Sequence, residues 1–169
     1  MRILGIDPGL GTTGWSVIEL GPQHPWLIAA GTITTTKNAP TPGRLVVLER
    51  EVVKLIATYR PGQAAVEKLF FAKNVTTAMV VSQARGVTLL CCARAALEIF
   101  EYTPPQIKQA ITGYGNAPKA QVIDMLSHHV QGASIPRQND AADAVAVALT
   151  HAAWHRIPAT RATMALDRS

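Results

Sequence analysis

A chain of 169 residues with 48% hydrophobic side chains has the length of one domain and enough apolar content for a substantial core, which excludes a wholly disordered protein. Its 16 Lys+Arg against 11 Asp+Glu give net +5 and a pI near 9.6, favouring a polyanionic partner, a balance that ribosomal, nucleic-acid-binding and membrane-surface proteins share. Cys91 and Cys92 are adjacent on a candidate helix and point in different directions, which argues against a disulfide or a metal pair and suits a reducing cytoplasm.

Taken in chain order, Ile3, Leu4 and Ile6 form a short apolar run that Pro8-Gly9 cuts off, so a buried strand delivers Asp7 to its tip. This opening is too short, and already charged, for a secretory leader. Gly9, Gly11 and Gly14 are expected to supply positive φ for a tight return into an antiparallel strand from Trp15 to Leu20. The β-branched stretch Trp26 to Thr36 reads as a third strand, and Asn38 to Gly43 as a loop. Arg44 to Tyr59 carries Leu45, Leu48, Val52, Leu55 and Ile56 at helical spacing, an amphipathic helix that Arg60-Pro61-Gly62 stops. Ala64 to Val66 is another apolar strand, and it ends on Glu67 as the first ends on Asp7.

Val75 to Leu97 reads as a helix apolar around most of its girth, which calls for cover on more than one side, by the core or by a second subunit. Gln83, Arg85, Arg94 and Glu98 interrupt the segment and argue against a membrane span. A fifth strand follows at Glu98 to Tyr102, then a short helix through Ile111, a turn at Gly113 to Pro118, a helix from Lys119 to His128, a loop from Val130 to Asn139, and a last helix from Asp140 to His155. Three antiparallel strands followed by alternating helix and strand give an α/β domain over residues 1–156, a five-stranded mixed sheet with helices on both faces. Residues 157–169 are a basic tail, a candidate for disorder.

The chemistry gathers in QNDAADAVAVALTH, Gln138 to His151. Asp140 and Asp143, three apart, project from one helix face near an N-terminus that favours ionised carboxylates, although Asp140 alone could be an N-cap. The alanines between and beyond them keep the helix slim enough to lie close to the sheet. Of five aspartates in the chain, three are Asp7, Asp140 and Asp143. With Glu67 they form an all-oxygen ligand set with no Cys/His partner, suited to Mg²⁺ or Mn²⁺ rather than Zn²⁺. Two such ions about 4 Å apart activate a water and stabilise the leaving oxygen of a phosphodiester. His151 and His155 have the i,i+4 spacing of a zinc helix but lack its Glu, and read as core or surface histidines.

Four stretches in unbroken order resemble the RuvC family of bacterial Holliday-junction resolvases: GIDPGLGTTGW at Gly5 to Trp15, VEKLFFAKNVTTAMVVSQARGV at Val66 to Val87, IKQAITGYGNAPKAQV at Ile107 to Val122 and NDAADAVAVALTH at Asn139 to His151. The resemblance covers roughly nine-tenths of the chain. It implies a ribonuclease H-like fold, a cytoplasmic homodimer, and Mg²⁺-dependent endonuclease activity on four-way DNA junctions in recombination and repair, alongside the RuvA and RuvB branch-migration proteins. It implies metal ligands at Asp7, Glu67, Asp140 and Asp143 and basic site residues at Lys108 and Lys119, the latter placed for catalysis. Phe70 would contact DNA near the junction centre, with Phe71, Lys73 and Asn74 beside it, although strand alternation from Glu67 favours Phe71 over Phe70.

Two rival functions stand against this. An actin- or sugar-kinase-like ATPase shares a glycine-rich loop after a first aspartate, but needs a second domain to close over its nucleotide, for which this chain has no room. A non-catalytic junction-binding protein would have no use for all four acids.

Overall fold

The computed structural model describes residues 1–69, 75–136 and 138–155. Phe70, Phe71, Lys73, Asn74 and the basic tail therefore lie outside the described residues. One mixed sheet has the strand order β5-β4-β1-β2-β3-β6. β1 (Arg2–Asp7), β2 (Thr12–Leu20) and β3 (Pro25–Thr34) form the antiparallel meander, while β4 (Gln63–Glu67) lies parallel to β1 and β5 (Glu98–Tyr102) parallel to β4. The helices are α1 (Thr41–Tyr59), α2 (Val75–Arg94), α3 (Pro104–Thr112), α4 (Lys119–His129) and α5 (Asn139–His155).

Period-2 alternation divides each central strand between two cores. On one face, Ile3 of β1 and Ala65 of β4 pack with α5, α3 and α4. On the other, Leu4, Ile6, Ala64 and Val66 meet Cys92 of α2, and Leu10, Ile33, Leu48, Val52 and Cys91 extend that layer under α1. Ile3, Leu4, Leu48 and Leu126 are completely buried, each worth about 1.5–3 kcal/mol of hydrophobic stabilisation. The same alternation puts Asp7 on the face of Ile3 and Gly5, and Glu67 on the face of Ala65 and Gln63. Both acids thus point to the side of the sheet that α5 covers.

α5 is buried continuously from Ala144 to Ala152 and lies very close to β1 and β2. A Cβ on Gly14 would stand 1.8 Å from the Asp140 carbonyl oxygen, and one on Gly5 would stand 2.4 Å from that of Ala144. Ser16, opposite Gly5 in the ladder, donates its hydroxyl to the Ala144 carbonyl at 2.8 Å. Gly5, Gly14 and Ser16 therefore form a shallow seat, and the alanines of α5 complete the close approach. This corrects the expectation for the opening glycines. Among the described residues the glycines with positive φ are Gly113 and Gly132; Gly9 and Gly14 serve instead by lacking a side chain, since a Cβ on Gly9 would stand 2.3 Å from the Thr12 carbonyl oxygen, while Gly11 has room for one.

Two further differences have physical causes. The segment expected as a loop after Val130 contains β6 (Gln131–Gly132), which pairs parallel with β3 and makes the sheet six-stranded. Two residues are too few for alternation to reveal. Gly132 sits at φ 102, where a side chain would also strike the Leu27 carbonyl at 2.6 Å. α2 stops at Arg94 rather than Leu97, because Ala96 adopts φ 56 and the Leu97 N–H bonds back to the Cys92 carbonyl at 3.0 Å, a left-handed closure made without glycine. Among the described residues, no helix is long and apolar enough to cross a membrane.

Candidate active site

At the C-terminal ends of β1 and β4, three elements bring their acids together. Carboxylate oxygens of Asp7, Asp140 and Asp143 all lie within 4.8 Å of one another, which is metal-ligating spacing. Asp140 is inside α5, whose first residue is Asn139, and is not its cap. Glu67, from the neighbouring strand, joins Asp7 and Asp143 in lining a cavity of about 290 Å³.

The charges in this cluster oppose one another. Burial, then the carboxylates of Asp143 and Asp140, push Asp7 up to about 7, with Lys119 acting in the other direction. Burial, then Asp7 and Asp143, push Glu67 up to about 8, again against Lys119. These carboxyl groups are held where they cannot all ionise comfortably without an added positive charge. The donor set is all oxygen, the ligand atoms converge, and the repulsion is of the kind a divalent cation relieves, so the residues present fit such an ion.

Two lysines enter from the α5 side. Lys119, the first residue of α4, reaches Asp143 with Nζ 2.5 Å from Oδ2. Burial alone would lower its pKa, but the hydrogen bond and charge of Asp143, with Asp7 and Asp140, raise it. A cation in the first turn of a helix opposes the helix dipole, so this position is explained by the acids it faces and not by helix stability. Lys108 sits in α3 and lines the same cavity, with Ile107, Val122 and Ala146 as its apolar wall. A capping box in which the Thr103 side chain receives the Gln106 N–H and Gln106 Oε1 receives the Thr103 N–H fixes the start of α3 directly after β5, and so sets where Lys108 falls.

The loop that follows Asp7 is tied internally. Thr13 donates its hydroxyl to the Gly9 carbonyl at 2.6 Å and accepts the Gly9 N–H at 3.3 Å. The hydroxyl of Thr35 closes on the Leu10 carbonyl at 2.5 Å. Sequence reasoning missed these supports, as it missed the seat formed by Gly5, Gly14 and Ser16. Their only trace in the sequence is small and hydroxyl residues where strands would otherwise carry bulk.

His151 takes no part in this cluster. It is 2% exposed, with Nδ1 2.6 Å from the Tyr102 hydroxyl and Nε2 2.9 Å from Gln63 Oε1. Because Gln63 Oε1 can only accept, Nε2 carries the proton and Nδ1 accepts from Tyr102. Burial, then His155, lower its pKa to about 4, consistent with a neutral core histidine.

Comparison with known proteins gives a concordant result. Residues 3–151 match the family model described as crossover junction endodeoxyribonuclease RuvC. The chain is 51% identical over 157 residues to the crossover junction endodeoxyribonuclease RuvC of Rubrobacter xylanophilus, covering 93% of this chain and 88% of that protein. It is 49% identical over 152 residues to the protein of the same description from Chloroflexus aurantiacus, covering 90% and 93% respectively. Among solved structures, it is similar to that of T. thermophilus RuvC in complex with Holliday junction substrate, with a TM-score of 0.86, 32% identity, and 93% and 96% of the two chains covered. The ribonuclease H-like architecture expected from the resemblance is shared with that structure.

Proposed function

The chain belongs to the crossover junction endodeoxyribonuclease RuvC family, and on that premise we propose that it resolves four-way DNA junctions by paired, Mg²⁺-dependent hydrolysis of phosphodiester bonds. The observation that carries the reading is the convergence of Asp7, Asp140 and Asp143 with Glu67 and Lys119 at the edge of one open cavity.

Asp7, Glu67, Asp140 and Asp143 would hold one or two divalent cations, and these, when bound, supply Lewis-acid stabilisation of the attacking and leaving oxygens. The protein does the rest through position. β1, β4 and the seated α5 fix the four carboxylates on rigid elements, so little reorganisation is needed when substrate arrives. Lys119 places a positive charge against Asp143 at the cavity mouth, where charge develops on a phosphate being cut. Lys108, on the adjoining wall, offers a second cation to the phosphate backbone. Ile107, Val122 and Ala146 keep one side apolar and strengthen these electrostatic terms.

A dimer belongs to the same proposal. A four-way junction must be cut in two strands at matching positions, which suits a two-fold pair of sites. Support comes from α2, where Met79 is 64% exposed and Leu90 52%, with Val80, Gln83 and Gly86 between them on the uncovered side. Single Glu or Arg substitutions at Met79, Val80 or Gln83 should yield a folded monomer by light scattering and circular dichroism, one that nicks but does not resolve. Unfolding would instead favour a core role for this helix. Cytoplasmic work with the RuvA and RuvB branch-migration proteins is also proposed, from the family resemblance alone.

The test is to incubate the purified protein with a synthetic four-way junction and Mg²⁺, beside linear duplex and ATP controls. Symmetric cutting of the junction alone supports the proposal. Mn²⁺ should replace Mg²⁺, and Ca²⁺ should support binding without cutting. Junction binding with no cleavage in any metal would leave a binding protein, and ATP turnover would point to the rival ATPase class.

A further inference from the structure

On the sheet face opposite Lys108 and Lys119, beside the loop that follows Asp7, Arg44 has no acidic partner among the described residues. Arg44, in the first turns of α1, donates its Nε to the Thr35 hydroxyl at 2.9 Å. Thr35 is 8% exposed, and its hydroxyl donates to the Leu10 carbonyl, while its N–H donates to the Gly11 carbonyl at 3.0 Å. The guanidinium is therefore oriented by a buried hydroxyl, which is in turn fastened to the active-site loop. Among the described residues, neither terminal nitrogen of Arg44 has a hydrogen-bond or carboxylate partner.

This arrangement differs from that of an ordinary surface arginine. Arg50, six residues further along the same helix, is paired with Glu51 at 3.0 Å. Arg44 spends Nε on the protein and keeps its end-on fork, Nη1 and Nη2, which matches two oxygens of a phosphate. Past Gly11 the approach is open: Arg44 Nη2 lies 3.8 Å from the point where a side chain on Gly11 would begin, and among the described residues other than Leu10, Gly11 and Thr12 no further heavy atom stands within 4 Å of that point. Leu10 follows Asp7 by three residues, so their backbones are at most about 11 Å apart.

We propose that Arg44 is a second anchor for the substrate strand, gripping a backbone phosphate that neighbours the scissile one, on the opposite side of the acid cluster from Lys119. The inference rests on the endonuclease reading above and deepens it. A strand laid across the end of the sheet meets Lys108 and Lys119 over one face, the carboxylates in the middle, and Arg44 over the other. The anchor is built into the loop, because the Leu10 carbonyl, Thr35 and the guanidinium form one chain of hydrogen bonds. The strand's grip at Arg44 and the position of Asp7 are thus set together.

The test is anisotropy titration of a labelled four-way junction and a matched linear duplex, in EDTA and over a salt series, with the full chain. Arg44→Gln should bind the junction roughly tenfold more weakly, and its log–log salt dependence should be shallower by about 0.9. Arg44→Lys keeps the charge but not the fork, so its slope should match wild type while affinity falls severalfold. Thr35→Val, which leaves Arg44 charged but undirected, should behave like Arg44→Lys. A folded Arg44→Gln protein with the wild-type slope overturns the proposal. Should that variant fail to fold, wild-type affinity in Arg44→Lys overturns it instead. If the wild-type chain does not prefer the junction to the duplex, the endonuclease reading fails, and the duplex slopes still decide whether Arg44 holds a phosphate.

Discussion

The two ends of α5 hold polar groups in opposite conditions. Near its N-terminus, Asp140 and Asp143 face Asp7 in a crowd of like charges that Lys119 only partly offsets. Eight residues beyond Asp143, about 12 Å along the helix, His151 is neutral, buried and bonded at both ring nitrogens. That chain continues through Gln63 Nε2, which donates to Glu98 Oε2 at 2.8 Å. One end is satisfied by the fold itself. The other is left with carboxylates in conflict, which costs stability until an outside positive charge offsets them. One helix thus carries a site and its anchorage, and substitutions at the two ends should fail in different ways.

The largest expected effect is at the acid end. Asp7→Asn keeps the shape of the ligand but removes its charge, so junction cleavage should fall by orders of magnitude while junction binding survives or tightens through reduced phosphate repulsion. Gel assays of cutting and binding on the same preparation check this. Parallel loss of both would mean that the cluster holds DNA and does not cut it.

At the other end the effect is on stability. His151→Ala strands the buried Tyr102 hydroxyl and Gln63 carbonyl, and should cost about 2–5 kcal/mol in urea unfolding. Cleavage per folded molecule should stay near wild type. A variant as stable as wild type would show that the network contributes nothing.

The pH profile sharpens the contrast. His151 has a folded pKa of about 4, below its ordinary value, so the unfolded chain takes up the proton first. Its contribution is complete above about pH 6.5 and is lost as pH falls toward 4, by about 3 kcal/mol in total. Denaturant titrations across that window should show the decline, and His151→Ala should lack that part of it. Asp7 has the reverse sign, since its folded pKa is raised to about 7. Stability is lost there as pH rises from about 4 to 7, because the unfolded carboxyl ionises first. Metal-free Asp7→Asn should therefore be more stable than wild type at neutral pH and no more stable below pH 4. No gain at neutral pH would mean that the carboxylates are not in conflict.

How much of this was legible depended on the kind of signal. Asp7 and Glu67 were readable as strand-end acids because alternation is a local property, and Asp140 and Asp143 because three residues make most of a helical turn. The meander and the helices that cover it followed from the same periodicities. The seat under α5 was not readable, since Gly14 matters through its distance from the Asp140 carbonyl, and that distance exists only after residues far apart in sequence have met. The end of α2 was misplaced because Ala96 closes it in a left-handed conformation that glycine would normally announce. The relay from Leu10 through Thr35 to Arg44 joins the loop after β1, the residue after β3 and α1 by side-chain hydrogen bonds, which leave no pattern in a sequence. The roles expected of Phe70, Phe71, Lys73 and Asn74 fall outside the described residues.

The most direct test of the divided helix is the single-turnover cleavage rate of a four-way junction by Asp143→Asn in saturating Mg²⁺, with His151→Ala measured beside it and both corrected for the folded fraction. A loss of several orders of magnitude in the first and a near-normal rate in the second is the predicted result. Near-normal cutting by folded Asp143→Asn would contradict the account, because the charge that the fold tolerates at that end of α5 would then have no chemical purpose.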